Sequence, residues 1–237
     1  MNLIEATLAW LVDPDHWMGT AGVPNRLLEH ILLSGAALAI AAAIAVPIGI
    51  YVGHTGRGVA LAANAANIGR ALPSLAVIAI VLPITAAFDK QAGFKVYPTL
   101  IAMVVLAIPP ILVNTQTGIR EVDRDLVEAG RAMGMRPGQV IGGLELPLAA
   151  PAIVTGLRSA AVQVIATATL GAIFGGGGLG RYLVEGIPQQ NIGMIFSGVV
   201  LVAVLALAAE GGFAAMARLI RSPGLARMDQ TRAAASP

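Results

Sequence analysis

The chain has 237 residues, of which 57% are hydrophobic and 12% are charged, and its formal net charge is +2. Soluble domains carry about 25% charged residues, so the composition excludes an ordinary soluble enzyme and indicates a membrane protein. The absence of cysteine excludes disulfides and thiolate metal sites, and the small net charge gives no indication of nucleic-acid binding.

Residues 1–26 are predicted to form an extracytoplasmic or interfacial segment. They contain Glu5, Asp13 and Asp15 and lack the basic start of a secretory signal. Trp10 and Trp17 favour a position among the lipid headgroups, where amphipathic aromatic rings settle. A loosely ordered tail is the alternative interpretation.

Five apolar stretches are long enough to cross a bilayer, which requires about 20 residues in a helix. Helices are expected because lipid cannot hydrogen-bond the backbone. The pattern predicts an all-α polytopic bundle of five transmembrane helices in one domain, residues 27–217, followed by a disordered cytoplasmic tail at 218–237. The stretches are 31–56, 58–88, 96–119, the first part of 146–180, and 186–209.

Several prolines fall inside these stretches, where each removes a backbone donor and favours a kink. They are either tolerated irregularities or bends along a transport pathway, and both interpretations remain open. The positions are Pro47, Pro73, Pro83, Pro109, Pro110 and Pro151.

Basic residues predict the orientation, because they are enriched on the cytoplasmic side. Nine flank one side and four flank the other, which places the N-terminus outside and the C-terminus inside. The first set is Arg57, Arg120, Arg124, Arg131, Arg136, Arg218, Arg221, Arg227 and Arg232, and the second is Arg26, Lys90, Lys95 and Arg181.

Residues 120–145, called the connector below, form the predicted cytoplasmic link between the third and fourth spans. Asp123 or Asp125 can cap a short amphipathic helix there, and Gly134 suits the left-handed position after its end. A second helical stretch then enters the membrane near Leu146. The expected apolar or small face comprises Leu126, Val127, Gly130, Met133 and Gly134. An ordinary amphipathic connector is the alternative, although links this long are usually functional or disordered.

Residues 128–147 read EAGRAMGMRPGQVIGGLELP. This segment resembles the coupling loop of bacterial ABC-importer permeases, in which a Glu-Ala-Ala/Gly triplet is followed by a glycine and later by a hydrophobic-Pro pair. The resemblance implies a type I ABC-importer permease fold and a separate ATPase subunit that receives the connector. The implied coupling residues are Glu128, Ala129, Gly130, Met133, Gly134, Arg136, Leu146 and Pro147.

Residues 67–76, 109–119, 146–158 and 166–170 are similar to osmoprotectant permeases for glycine betaine, carnitine or choline. Val113 departs from this pattern, in which arginine is common. The glycine run at 175–180 is shared more widely, including with methionine permeases. Methionine or another small metabolite is therefore the alternative cargo, and a stand-alone secondary transporter is the alternative class.

The resemblance also implies the partners and the location of the chain. Two ABC ATPase subunits, a second permease chain of the same or a homologous type, and a separate extracytoplasmic substrate-binding protein would assemble with it in the bacterial inner membrane. ATP and Mg²⁺ would be bound by the ATPase, because this chain lacks the Gly-Lys-Ser/Thr of a phosphate-binding loop. No cofactor, nucleic acid or enzymatic activity of its own is expected.

Arg70 and Arg158 are the two ionisable residues predicted to lie within the membrane. No acidic residue lies inside the predicted spans, and Glu29 and Glu210 fall at their ends. Backbone carbonyls, water or a neighbouring subunit are therefore expected to satisfy Arg158. Structural anchoring is favoured over substrate contact for both arginines.

Uncharged polar residues in the spans are candidates for lining a hydrated pathway, although hydrogen bonding between helices is their commoner use. They are Asn67, Ser74, Asn114, Gln163, Thr167 and Thr169. The glycine run at 175–180 predicts an irregular outer re-entrant segment or hinge, with a flexible loop as the alternative. Because aromatic residues are only 4% of the chain, selectivity for a quaternary ammonium group is expected to reside in the external binding protein.

Overall fold

The computed structural model describes residues 2–220, apart from the side chains of Ala65 and Arg70, and this range is helical without strands. The predicted roles of Arg70 and of the tail at 221–237, including Arg221, Arg227 and Arg232, lie outside the described residues. The first three residues of the predicted tail continue the last helix. The helices are α1 (Leu3–Val12), α2 (Val23–Thr55), α3 (Val59–Ala71), α4 (Ser74–Phe88), α5 (Ala92–Lys95), α6 (Tyr97–Arg120), α7 (Arg124–Ala132), α8 (Pro137–Val140), α9 (Leu146–Gly171), α10 (Gly180–Gly186) and α11 (Ile192–Ile220).

The second predicted span is not one helix, because α3 and α4 meet at a bend of 93°. Leu72 and Pro73 are extended at the break, with ψ angles of 124° and 125°. A residue before proline is driven out of the helical region, which ends α3 there. The other five prolines lie inside helices that continue through them, in agreement with tolerated irregularity.

Helices α2 and α6 run parallel in close contact. A Cβ added to Gly49 would lie 2.7 Å from Cβ of Thr115, and one added to Gly53 would lie 2.7 Å from Cβ of Ile119. Parallel neighbours require the intervening chain to return across the membrane once, so the bent pair α3–α4 makes that crossing. With the four unbroken helices that are long and apolar enough to span, the bundle has the five predicted crossings.

Helix α9 packs antiparallel to α6 through small residues. A Cβ on Gly118 would lie 2.6 Å from that of Ala152, and one on Gly156 would lie 2.9 Å from that of Asn114. Small residues allow such close approach in the absence of a strong hydrophobic drive within lipid. The central core comprises Ala37, Ala41 and Ala45 of α2, Met103, Ala107 and Ile111 of α6, and Ala160, Val164 and Ala168 of α9.

The ends of the first and last spans differ from those predicted. Helix α2 begins at Val23, inside the segment expected to precede the bundle. The predicted fifth stretch 186–209 begins too early, because the N–H of Asn191 turns back to the carbonyl of Gly186 at 3.0 Å and α11 starts only at Ile192. Helix α11 also ends later than the predicted stretch, at Ile220 rather than at residue 209.

The N-terminal segment is ordered and packs against α11, so the loosely ordered tail is contradicted. Trp10 is buried, stacks on His16 with centroids 4.1 Å apart, and meets the edge of Tyr182 at 5.0 Å. The Trp10 ring therefore packs inside the protein, and the headgroup-level position of this segment stays a prediction. Trp17 remains exposed.

Candidate functional site

The connector contains the short helix α7, and its ends follow local capping rules. Oδ1 of Asp123, rather than Asp125, accepts from a backbone N–H at the start, namely that of Asp125 at 2.9 Å. At the other end Gly134 has φ +87°, and the N–H groups of Gly134 and Met135 donate to the carbonyls of Arg131 and Gly130 at 2.9 and 3.1 Å. This pair of hydrogen bonds is a Schellman motif, which confirms the predicted left-handed glycine.

The face expected on α7 is divided between two directions. Leu126, Ala129 and Met133 point outward, and the Met133 side chain is 79% exposed. Gly130 instead is buried against its own connector, where an added Cβ would lie 2.9 Å from Cδ1 of Leu144 and 3.0 Å from Sδ of Met135. The prediction that Gly130 belongs to one small-residue face for a partner is therefore wrong in this structure.

A π-helical turn, Ile141–Glu145, joins α8 to α9, and the N–H of Leu146 donates to the carbonyl of Ile141. Pro147 explains the wide turn, because proline has no N–H and its ring collides with the carbonyl four residues earlier in an α-helix. Sequence reasoning missed this turn, although glycines at 142 and 143 followed by Pro147 are a usable signal. Leu146 packs inward with Ile119 and Ile153, whereas Pro147 is exposed.

A small cleft of about 70 Å³ separates the connector from the ends of α2 and α6. Arg120, Arg124 and Arg131 line it, and Glu128 of α7 lines it as well. Glu128 therefore lies near the chain's own basic residues, on a different side of α7 from the exposed Met133. Arg136 lies outside this cleft, and its backbone N–H donates to Oε1 of Gln139 at 2.8 Å.

The floor of the cleft holds a contact between distant parts of the sequence. Nδ1 of His54, in the last turn of α2, lies 2.7 Å from Oε2 of Glu145, and both side chains are largely buried. Sequence reasoning did not pair them, because they are 91 residues apart. The only local signals are a histidine at a helix C-terminus, which suits the helix dipole, and a glutamate just before Leu146-Pro147.

Three of the six pathway candidates form side-chain hydrogen bonds within their own helices. The hydroxyl of Thr167 donates to the carbonyl of Gln163 at 2.9 Å, and that of Thr169 to the carbonyl of Ala166 at 2.7 Å. Nδ2 of Asn114 donates to the carbonyl of Pro110 at 2.8 Å. These groups are satisfied within their own helices. Near the bend between α3 and α4, Asn67 is exposed and Ser74 is half-buried.

Arg158 has an acidic partner, contrary to expectation. Its Nη2 lies 2.7 Å from Oε1 of Glu210, and the two side chains are 39% and 37% exposed. The correction follows from the late start and extension of α11, which place Glu210 inside a helix beside α9.

The glycine run is an ordered, irregular turn packed against α2 and α9, so the flexible loop is contradicted. The N–H of Gly178 donates to Oε2 of Glu29 at 2.8 Å, and the N–H of Leu179 donates to Nδ1 of His30 at 3.3 Å. Gly175 and Gly178 have φ of +81° and +88°. Such angles favour glycine, which explains its use at these two positions.

Comparison with known proteins places this architecture in one family. A family model described as binding-protein-dependent transport system inner membrane component matches residues 45–230. The choline transport system permease protein OpuBB of Bacillus subtilis (strain 168) is 35% identical over 205 residues, covering 86% of this chain and 91% of that protein. The osmoprotectant import permease protein OsmW of Salmonella typhimurium is 30% identical over 198 residues, covering 83% and 91%.

Solved structures agree on the fold. An inward-facing form of the MetNI methionine ABC transporter superposes with a TM-score of 0.72 at 22% identity, covering 82% of this chain and 94% of that one. An amino acid ABC transporter with histidines gives a TM-score of 0.60 at 18% identity, covering 90% and 96%. The fold is that of type I ABC-importer permeases.

Proposed function

The chain belongs to the family of binding-protein-dependent transport system inner membrane components, and we propose from this premise that it carries a quaternary-ammonium compatible solute, such as glycine betaine, choline or carnitine. It is the multi-pass permease subunit of an ABC importer, and a transport subunit rather than an enzyme. This cargo is supported by the names of the similar proteins. A choline permease at 35% identity and a glycine betaine/carnitine/choline permease at 33%, both from Bacillus subtilis (strain 168), each align over at least 85% of this chain.

The methionine alternative is less well supported. The methionine transporter that superposes on this chain is only 22% identical, a level that supports the shared fold and not a shared cargo. Quaternary ammonium groups are typically held by aromatic cages, and this chain has only ten aromatic residues, counted as five Phe, three Tyr and two Trp. We therefore assign selectivity to a separate extracytoplasmic binding protein, which delivers solute to a low-affinity passage.

We assign coupling to the connector. Leu126, Ala129 and Met133 form an exposed apolar face along α7 and its C-terminal cap, flanked by exposed charged side chains. An exposed apolar patch rimmed by charge is typical of a protein interface, and the groove of an ATPase subunit is the proposed partner. Gly134 and Pro147 act indirectly in this proposal, because the first ends α7 and the second shapes the π-helical turn.

The proposed assembly has two permease chains, two ATPase subunits that bind ATP and Mg²⁺, and one external binding protein. Five crossings put the start of α2 and the end of α11 on opposite sides of the membrane. The described basic residues Arg120, Arg124 and Arg131 lie on the connector side, which supports a cytoplasmic connector and an external N-terminus.

Reconstitution tests the function. The permease, its partner ATPase and its binding protein are placed in liposomes, and uptake of labelled glycine betaine, choline, carnitine and methionine is measured with and without ATP. We expect ATP-dependent uptake of at least one quaternary ammonium solute. Uptake of methionine alone, or uptake driven by an ion gradient without ATP, would overturn the cargo or the class.

The variant Met133→Glu tests the interface in the same liposomes. A buried charge in the ATPase groove should weaken ATPase binding at least tenfold while the permease remains in the membrane. Pro137→Ala, outside the apolar face, is the matched connector control. Wild-type binding by Met133→Glu would contradict the proposed docking face.

A further inference from the structure

We infer that His54 and Glu145 form a positioning pair that carries displacement of the connector into α2 during transport. The inference rests on the proposed function, since it requires an ATPase that moves the connector. It assigns a role to two residues that contact neither the proposed ATPase face nor the candidate pathway.

Chain connectivity shows why α2 depends on non-covalent contacts such as this pair. The connector continues directly from α6 at Arg120 and into α9 at Leu146, so both helices follow it through covalent bonds. Helix α2 ends at Thr55, and α3 to α6 intervene before the connector begins. Movement of the connector therefore reaches α2 only through non-covalent contacts, either directly or by way of α6 and α9.

A continuous series of contacts runs from α7 to α2. Gly130 of α7 packs against Leu144, with 2.9 Å between an added Cβ and Cδ1 of the leucine. Leu144 precedes Glu145 in the π-helical turn, and Oε2 of Glu145 lies 2.7 Å from Nδ1 of His54. The wide turn ends at Glu145, so the irregularity that Pro147 imposes also sets the direction of this carboxylate.

Burial argues that the pair stays together through the cycle. Glu145 is only 4% exposed, and separating a buried polar group from its hydrogen-bond partner is costly because its lost hydration is then not compensated. Next to the pair, Leu146 packs with Ile119 in an apolar cluster that also includes Val46 and Ile50 of α2. The end of the connector and the end of α2 therefore form one body, and α2 follows when the connector is displaced.

A double-mutant cycle tests the pair in liposomes containing the ATPase and the binding protein. His54→Ala, Glu145→Ala and the double variant are compared at equal amounts of assembled complex, and solute uptake per ATP hydrolysed is measured. Each single change should lower this ratio about fivefold, in the range found for residues that transmit coupling, and the double variant should be no worse. Arg57→Gln, an exposed residue just beyond α2, is the control and should leave the ratio unchanged.

Thermal stability is measured on the same samples to separate transmission from folding. Unchanged solute uptake per ATP hydrolysed in both single variants overturns the inference. A double variant whose loss of uptake per ATP is the sum of the two single losses overturns it as well. A ratio that falls only in proportion to lost thermal stability also overturns it.

A cross-link provides a second test that does not require the alanine variants to fold well. The chain has no cysteine, so His54→Cys/Glu145→Cys introduces a unique thiol pair, combined with cysteine-free partner proteins. A short bifunctional thiol reagent should restore uptake per ATP to near the wild-type value. Blocked transport after cross-linking, or failure of the two thiols to react with one reagent, would show that the positions separate and would overturn the inference.

Failure of this inference is distinguishable from failure of the proposed function. If the wild-type assembly shows no ATP-dependent uptake of a quaternary ammonium solute, the proposed function fails. If the wild-type assembly transports and the paired variants behave as the Arg57→Gln control does, only the positioning pair fails.

Discussion

Arg158 of α9 and Glu210 of α11 face each other between two membrane-spanning helices, with Nη2 and Oε1 2.7 Å apart. Either charge alone would be expensive in this position, which explains why the two occur together. The pair fixes α11 to α9 at a level where neighbouring residues are largely apolar.

We expect Arg158→Gln or Glu210→Gln to destabilise the chain by about 2 kcal/mol, because each leaves the other charge unpaired in the membrane. Unfolding of the purified permease in lipid nanodiscs measures the loss. The exchanged variant Arg158→Glu/Glu210→Arg should recover most of it. Exchange that is as harmful as either single change would show that the pairing contributes nothing.

Gly49 of α2 should tolerate no side chain. An added Cβ would lie 2.7 Å from Cβ of Thr115, closer than packed carbon atoms can approach. We expect Gly49→Ala to destabilise the permease by about 1–3 kcal/mol, the usual cost of overpacking. Gly35→Ala in the same helix is the matched control, because nothing lies within 4 Å of its added Cβ. Equal thermal stability of the two variants would show that α2 and α6 are not in this close contact.

Tyr182 lies outside the membrane-spanning helices and should make the stability of the folded protein depend on pH in the alkaline range. Burial raises the pKa of its phenol to about 12. Arg26 lowers this pKa by a smaller amount, and Glu185 and Glu29 raise it further. The phenol in an unfolded chain has a pKa of about 10. The folded state therefore holds the proton more tightly, and this contribution to stability is complete below pH 10 and is lost as the pH rises through 12.

The difference in ultraviolet titration between the wild type and Tyr182→Phe isolates this phenol. We expect its ionisation near pH 12, and a steeper loss of thermal stability between pH 10 and 12 in the wild type than in the variant. Ionisation near pH 10 would contradict burial of the ring between Trp10 and the backbone carbonyl of Ala21, which its hydroxyl contacts at 2.9 Å.

Local rules made the crossings and the ends of α7 predictable from sequence. Uncharged stretches of sufficient length identify the spans, and Asp123 and Gly134 mark the start and the end of α7 by their side-chain and backbone chemistry. The pairs His54–Glu145 and Arg158–Glu210 were not predictable in the same way. They depend on which helices lie side by side and on the register of α11, which is set by packing and by a turn that the hydropathy pattern does not reveal.

The face of α7 shows the same division. Periodicity placed Leu126, Gly130 and Met133 on one face of the helix, whereas the structure exposes Leu126 and Met133 and buries Gly130. It could not show that Leu144 covers Gly130, because that contact requires the π-helical turn to bring the second half of the connector back onto α7. The connector is therefore a folded unit with one exposed face, rather than a single extended helix-turn-helix surface.

Gly134 provides a test of that folded unit. Its φ of +87° is strained for any residue with a side chain, so Gly134→Ala should cost about 1 kcal/mol and loosen the end of α7. Gly138, four residues later, has ordinary φ and open space around an added Cβ, which makes Gly138→Ala the matched control. Because Met133 precedes Gly134 directly, loosening this end should lower uptake per ATP hydrolysed in reconstituted liposomes, whereas Gly138→Ala should behave as the wild type does. Equal transport by the two variants would mean that the left-handed turn does not position the exposed face.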